Sequence, residues 1–199
     1  MTAKAPMSHA MIDLKKFPIL AETAQSYATE VLILADAVGD AAVTLVEVMQ
    51  DFLEIVQQPI IAGGFAVAHH GFVRGTIDVD VIAIGSTADE INLLKSRGYK
   101  HESIQLPIGS LDLLTKANKG IDFIHLNDSV FLKSLVARTV SGKLLNQAVR
   151  MVSLEDLIVL KHLAVKGRRG VKDPIDLEQL LAMPFDHAYV DRWKTHFQI

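Results

Sequence analysis

Ile60-Ile-Ala-Gly-Gly-Phe-Ala-Val-Ala-His-His-Gly-Phe-Val-Arg-Gly-Thr-Ile-Asp-Val-Asp-Val-Ile-Ala-Ile84 is the stretch on which the reading of this chain turns. It reads as a short apolar strand, a glycine pair, a turn or two of helix, a loop, and a second apolar strand interrupted by Asp78 and Asp80. Strand side chains alternate between faces, so the two aspartates share one face, roughly 6–7 Å apart, while Ile77, Val79 and Val81 take the other. Two carboxylates on one face of an apolar strand repel each other and resist burial unless positive charge lies between them. A divalent cation that prefers hard oxygen ligands, Mg2+ or Mn2+, is the simplest such charge. Gly63 and Gly64 follow a strand and open a helix, where backbone N–H groups lack partners and favour an anion such as phosphate. Either feature alone has a plainer meaning, a solvated edge strand or a tight turn. Together they point to metal-assisted chemistry on a nucleotide.

Gly63-Gly64, the helix after it and Arg74-x-Thr76-x-Asp78-Val79-Asp80 resemble the signature of the polymerase-beta-like nucleotidyltransferase superfamily. Within it they are most similar to small prokaryotic members, the abortive-infection (AbiEii-type) toxins and minimal nucleotidyltransferases. The resemblance runs from about Pro59 to Asp122 and again from Val152 to Leu181; the first fifty residues carry none of it. It implies an α+β nucleotidyltransferase fold, a small mixed β-sheet flanked by helices. It also implies transfer of a nucleoside monophosphate from an NTP to an acceptor hydroxyl on tRNA, a protein or a small molecule. A toxin–antitoxin or phage-defence setting with a cognate partner goes with the toxin branch.

By the same resemblance Asp78, Asp80 and Asp122 are the catalytic and metal-binding acids, converging at the mouth of one cleft, with Asp122 taking the proton of the attacking hydroxyl. Gly63, Gly64, Arg74, Thr76 and Lys161 are the nucleotide-binding residues. Asp112, in the first arm of the same hairpin as Asp122, is the alternative third acid. Asp156-Leu-Ile-Val-Leu-Lys161 resembles the toxin branch's Asp-to-Lys motif, whose lysine meets the triphosphate. Lys172-Asp173 matches only the end of its Arg-x-Lys-Asp element, with Gly170 where the arginine belongs. A catalytically silent nucleotide- or partner-binding protein of the same fold is the second reading, and intact Asp78, Asp80 and Asp122 count against it.

Composition narrows the class further. Of 199 residues 50% are hydrophobic and 22% charged, enough apolar content to build a core. The net charge of −3 gives no general attraction to nucleic acid or to an anionic membrane. Bases do gather late, at Lys161, Lys166, Arg168, Arg169 and Lys172, which mildly favours an RNA acceptor. The absence of cysteine excludes disulfides, thiolate metal sites and cysteine nucleophiles. Asp36, Asp40 and Glu47 interrupt the most apolar early run, and no signal peptide is evident, so a cytoplasmic protein without a membrane span is expected.

In order, the chain reads as an N-terminal arm and helices (1–56), a nucleotidyltransferase core (57–152) and a C-terminal helical segment packed on it (153–199). A helix is expected from about Leu20 to Ala37, then a second capped by Asp40 with its apolar face on Val43, Val46, Met49, Phe52, Leu53 and Val56. Thr87-Ala-Asp-Glu90 reads as a capping box. Tyr99–Ile108 reads as extended, and Leu111–Thr115 and Gly120–His125 as a hairpin around Lys116–Lys119. Further helices are expected over Ser129–Thr139, from a Ser153–Asp156 cap to about Val165, from Asp173-Pro174 to Leu181, and from Asp186 to Phe197. Adjacent histidines on a helix diverge, so His69 and His70 read as one packing residue and one base or ribose contact.

Overall fold

A computed structural model describes residues 43–167 and 172–199. The helix expected over Leu20–Ala37 and most of the basic run from Lys166 to Lys172 lie outside the described residues. Helix α1 spans Leu45–Ile55 with Thr44 as its N-cap; Asp40, the cap expected from the sequence, lies outside the described residues. Thr44 accepts from the Glu47 backbone N–H, while the Glu47 carboxylate reaches back to the Thr44 N–H at 2.7 Å. Such a reciprocal cap contributes about 1 kcal/mol.

Strand β1 (Ile60–Ile61), helix α2 (Gly63–His69), strand β2 (Asp78–Ile82) and helix α3 (Ala88–Ser96) follow. A meander comes next: β3 (Lys100–Leu106), β4 (Gly109–Lys116) and β5 (Lys119–Leu126). Helix α4 (Ser129–Arg138) leads to the hairpin β6 (Val140–Leu144) and β7 (Gln147–Met151), and helices α5 (Leu154–Gly167), α6 (Lys172–Leu181) and α7 (His187–Phe197) end the chain. The seven strands form one mixed sheet in the order β3-β4-β5-β2-β1-β7-β6. Here β2 is parallel to β5 and β1 to β7, whereas the β1–β2, β3–β4, β4–β5 and β6–β7 pairs are antiparallel. Among the described residues no helix is long and apolar enough to cross a membrane.

The sheet separates two cores. On one face Val79, Val81, Ile121 and Phe123 pack under α1 and α3, against Leu45, Met49, Phe52, Ile91 and Leu94. On the other, Ile60, Ile82 and Val152 meet α4, α5 and α7 through Phe131, Leu135, Leu157, Ile158, Val190 and Trp193. The same alternation that buries Val79 and Val81 beneath α1 turns Asp78 and Asp80 toward the second face. Every functional candidate on β2 therefore lies on the side covered by the C-terminal helices.

Two local expectations fail for stated reasons. Thr87 precedes α3, but its side chain makes no capping bond; its hydroxyl lies 3.4 Å from His125 Nε2 instead. Strand β6 has no counterpart in the sequence reading. At the sheet edge Val140, Ser141 and Lys143 are exposed, so its sequence lacks the alternation that marks a half-buried strand.

Candidate functional site

Strand register places the acids. Asp80 lies directly beside Asp122, and Asp78 beside Gly120, in the parallel β2–β5 pair. Directly paired residues share a face, so Asp78, Asp80 and Asp122 project to the same side of the sheet. Asp112 is paired with Phe123, one residue out of phase, and belongs to the opposite face. There it lies 2.9 Å from His101 Nε2 and 2.9 Å from His125 Nε2, and it accepts from the Ser103 hydroxyl.

The three acids share a face without forming a single ligand cage: among the described residues no three acidic or histidine side chains are arranged to hold a metal ion. Asp80 opens into a cavity of about 530 Å³, whereas Asp78 and Asp122 line a shallower depression of about 250 Å³. Asp78 is turned onto the Thr76 hydroxyl at 2.8 Å, and Asp80 onto Gly63. Like charges two residues apart favour such divergence.

The glycine pair has a steric reason. Gly63 adopts φ of +54°, and any side chain there would collide with the Asp80 carboxylate. A Cβ on Gly64 would lie 2.7 Å from Thr76 Oγ1 and 3.4 Å from a guanidinium nitrogen of Arg74. Arg74, Thr76, Asp78 and Asp80 can therefore close over α2 only because its first two residues lack side chains. These three approaches join residues that the sequence placed together by motif alone.

Electrostatics is least resolved at Asp80. Burial, and then the neighbouring charge of Asp78, push its carboxyl up to about 7, although Lys161 and Arg74 pull the other way. Beside it runs an ion network. Arg74 donates to both oxygens of Asp176, at 2.6 and 2.7 Å, and Asp176 is fully buried. Lys161, 8% exposed, bridges Asp173 and Asp176 at 2.7 Å each. Burial alone would raise Asp176, but Arg74 and Lys161 hold it below the usual carboxylate range. Burial would likewise lower Lys161; Asp176 and Asp173 outweigh it and raise its value.

Lys161 thus faces the Asp80 cavity, not the surface. Asp156, five residues earlier, belongs to another network: it accepts from Ser153 and from the Tyr189 hydroxyl, each at 2.6 Å. Its backbone N–H in turn donates to Ser153 Oγ, the expected cap of α5. The paired motif residues Asp156 and Lys161 are therefore split between a structural cluster and the cavity. His70 is tied by Nε2 to the Val152 carbonyl at 2.9 Å, and burial lowers the values of both His69 and His70.

Sequence reasoning missed Asp176. Its signal was present: Asp173 and Asp176 stand three apart on α6 and so share a helix face, on which two acids need cations. What was not visible locally is that one of those cations is Arg74, 102 residues away.

No family profile matches this sequence, and no curated protein is detectably similar to it. Solved structures are. The solution structure of the antibiotic-resistance factor ANT(2'')-Ia superposes with a TM-score of 0.53 at 17% identity, covering 76% of this chain and 87% of its own. The crystal structure of ANT(2'')-Ia in complex with adenylyl-2''-tobramycin gives 0.48 at 17% identity, with 76% and 92% covered. An antigenic nucleotidyltransferase-like protein from Paracoccidioides brasiliensis gives 0.40 at 14% identity, with 85% and 88% covered. The first of these, together with the mixed sheet carrying two acids on one strand and a third on its parallel neighbour, identifies the architecture: the chain has the α+β nucleotidyltransferase fold.

Proposed function

We propose that this protein transfers a nucleoside monophosphate from an NTP to an acceptor hydroxyl. The observation that carries the reading is the register of Asp80 against Asp122, on one face with Asp78, beside a glycine pair whose missing side chains admit them. The residues fit a divalent cation by donor chemistry, since all three offer hard carboxylate oxygens and Lys161 and Arg74 only partly offset the burial of Asp80 and its repulsion from Asp78. Mg2+ held by Asp78, Asp80 and Asp122 would supply charge stabilisation at the transferred phosphorus.

In this reading Thr76 orients Asp78, and Arg74 holds the β2 approach against α6 through Asp176. Gly63 and Gly64 leave room for phosphate next to Asp80. Lys161 presents a point charge to the triphosphate from the cavity wall, held in place by Asp173 and Asp176. Asp122 accepts the proton of the attacking hydroxyl, and pyrophosphate leaves from the α-phosphorus. The proposal rests on the wider superfamily. The toxin branch, with a cognate antitoxin partner, depends on Asp156 and Lys161 acting together, and their separate networks favour a structural role for Asp156.

The test is calorimetric and chemical. Each of the four NTPs is added with Mg2+, the melting temperature is followed, and labelled products are sought with cellular RNA, protein and small-molecule extracts. An upward shift that needs both NTP and metal is expected through mass action on the native state. No shift with any NTP would sink the reading.

A further inference from the structure

The cavity beside Asp80 and Lys161 has walls out of keeping with a charged occupant. Besides Gly63, Asp80 and Lys161 the lining is mostly aliphatic and aromatic, with Pro107 and Ile108 of the β3–β4 turn, Leu160 and Ala164 of α5 and Phe197 of α7, and it also includes Lys166, Asp173, His196 and Gln198. Its other charged groups are already engaged. Asp173 is paired with Lys161, Lys166 donates to the Gln198 carbonyl at 2.8 Å, and His196 meets Asp128 at 2.6 Å. Among the described residues the wall has, apart from Asp80, no side-chain carboxylate left over to compensate an incoming ammonium group, and burying unpaired charge there is costly. The named apolar side chains also offer neither donors nor acceptors to read the edge of a nucleobase.

From this geometry we infer that the cavity is the acceptor subsite, and that the acceptor is an uncharged, predominantly apolar small molecule bearing a free hydroxyl. The inference rests on the nucleotidyl-transfer reading and names its acceptor class. A volume of about 530 Å³ suits a drug-sized molecule. Its apolar body fills the space between the β3–β4 turn, α5 and the end of α7, and its hydroxyl points toward Asp80. In the transfer step the hydroxyl oxygen forms a bond to the α-phosphorus of the NTP. The bond from that phosphorus to the bridging oxygen breaks, pyrophosphate leaves with the electron pair, and the hydroxyl proton passes to Asp122 and then to water. A polycation such as an aminoglycoside would leave several ammonium groups against aliphatic walls.

The full chain is titrated with the neutral naphthalene fluorophore prodan, and its melting temperature is followed with Mg2+ and a mixture of the four NTPs. α-Labelled NTPs are then offered estradiol, as a neutral hydroxylated body, and tobramycin, as a polycation. Saturable prodan binding is expected, weakened about tenfold or more in Ala164→Phe, which fills the cavity, and in Ile108→Gln, which makes its wall polar. The NTP-dependent thermal shift should persist in both variants, and label should pass to estradiol but not to tobramycin. Label on tobramycin alone would overturn the acceptor class. Loss of the NTP-dependent shift in both variants, or displacement of prodan by NTP alone, would overturn the subsite by making the cavity a base pocket. Prodan binding without any NTP-dependent shift in the wild type would instead strike the nucleotidyl-transfer reading, and the acceptor with it.

Discussion

Asp80 and Asp112 lie on strands separated only by β5, on opposite faces of one sheet, and their surroundings treat the same carboxyl group in opposite ways. Burial works against the charge of both. Around Asp112 it is more than offset by the Ser103 hydroxyl and by His101 and His125, which hold the group below the usual carboxylate range. Around Asp80 it is reinforced by Asp78, and Lys161 and Arg74 do not cancel the two, so the group rises to about 7. A satisfied cluster needs nothing more from outside. An acid left under repulsion at the mouth of a cavity can gain a cation, and that asymmetry distinguishes a site from a structural knot.

The largest expected effect breaks the comparison by chemistry. Replacing Asp78 and Asp80 together with Asn should lower transfer by about a thousandfold or more, the scale of several kcal/mol of lost charge stabilisation. Asp112→Asn should leave transfer within about threefold of wild type, since its face is turned away from the site. Initial rates with a labelled NTP decide it; equal losses in both variants would erase the distinction between the faces.

Next in size is the ion network behind β2. Asp176→Ala leaves Arg74 buried without its bidentate partner and Lys161 with one acid instead of two. Breaking one side of a buried pair costs about 3–5 kcal/mol. Urea unfolding measures it, and a loss below about 1 kcal/mol would mean that the network is solvated in practice.

A third test uses pH. Asp80 is raised from 3.8 to about 7 in the folded state, so it favours folding fully below 3.8 and loses that contribution as pH climbs through 7. Asp80→Asn removes the loss. The variant should therefore gain on the wild type as pH rises, by about 2 kcal/mol at pH 8 after relaxation of the site is allowed for. Melting curves of both proteins from pH 5 to pH 8 follow the gap; parallel curves would show that Asp80 ionises without penalty.

The two faces also differ in how legible they were. Asp78 and Asp80 could be assigned to one face because strand alternation is binary and needs no tertiary information. Choosing between Asp112 and Asp122 needed the β4–β5 register, which the two-residue turn at Ala117 and Asn118 sets by pairing Lys116 with Lys119. Counting back from that turn puts Asp122 beside Leu113 and Asp112 beside Phe123, a difference of one residue that reverses the face. The hairpin itself was visible as two apolar runs around polar turn residues, and β6 at the sheet edge was not, because its exposed side chains carry no alternation. Arg74 stood out by motif, but its partner lay on α6, beyond any local pattern. Asp156 and Lys161 were read as one motif, yet helix geometry had already set them about 140° apart, and the fold uses that angle to send them to different networks.

The smallest effect sharpens the comparison from the satisfied side. Asp112→Asn keeps a hydrogen-bonding side chain but removes the charge that His101 and His125 face, at a site that is partly exposed. The expected loss is about 1 kcal/mol, since solvent screens part of the interaction. Its pH dependence has the opposite sign to that of Asp80. A carboxyl held below 3.8 in the folded state contributes stability above that value and loses it as pH falls through its folded-state value. The gap between wild type and Asp112→Asn should thus be full at about pH 5 and close under more acidic conditions, whereas the Asp80→Asn gap opens toward alkaline pH. Unfolding free energies of the two variants, plotted on one pH axis, should therefore diverge at opposite ends. A variant of Asp112 whose gap widened toward acid would mean that its carboxyl is not held by the histidines and Ser103, and the contrast between the faces would then rest on register alone.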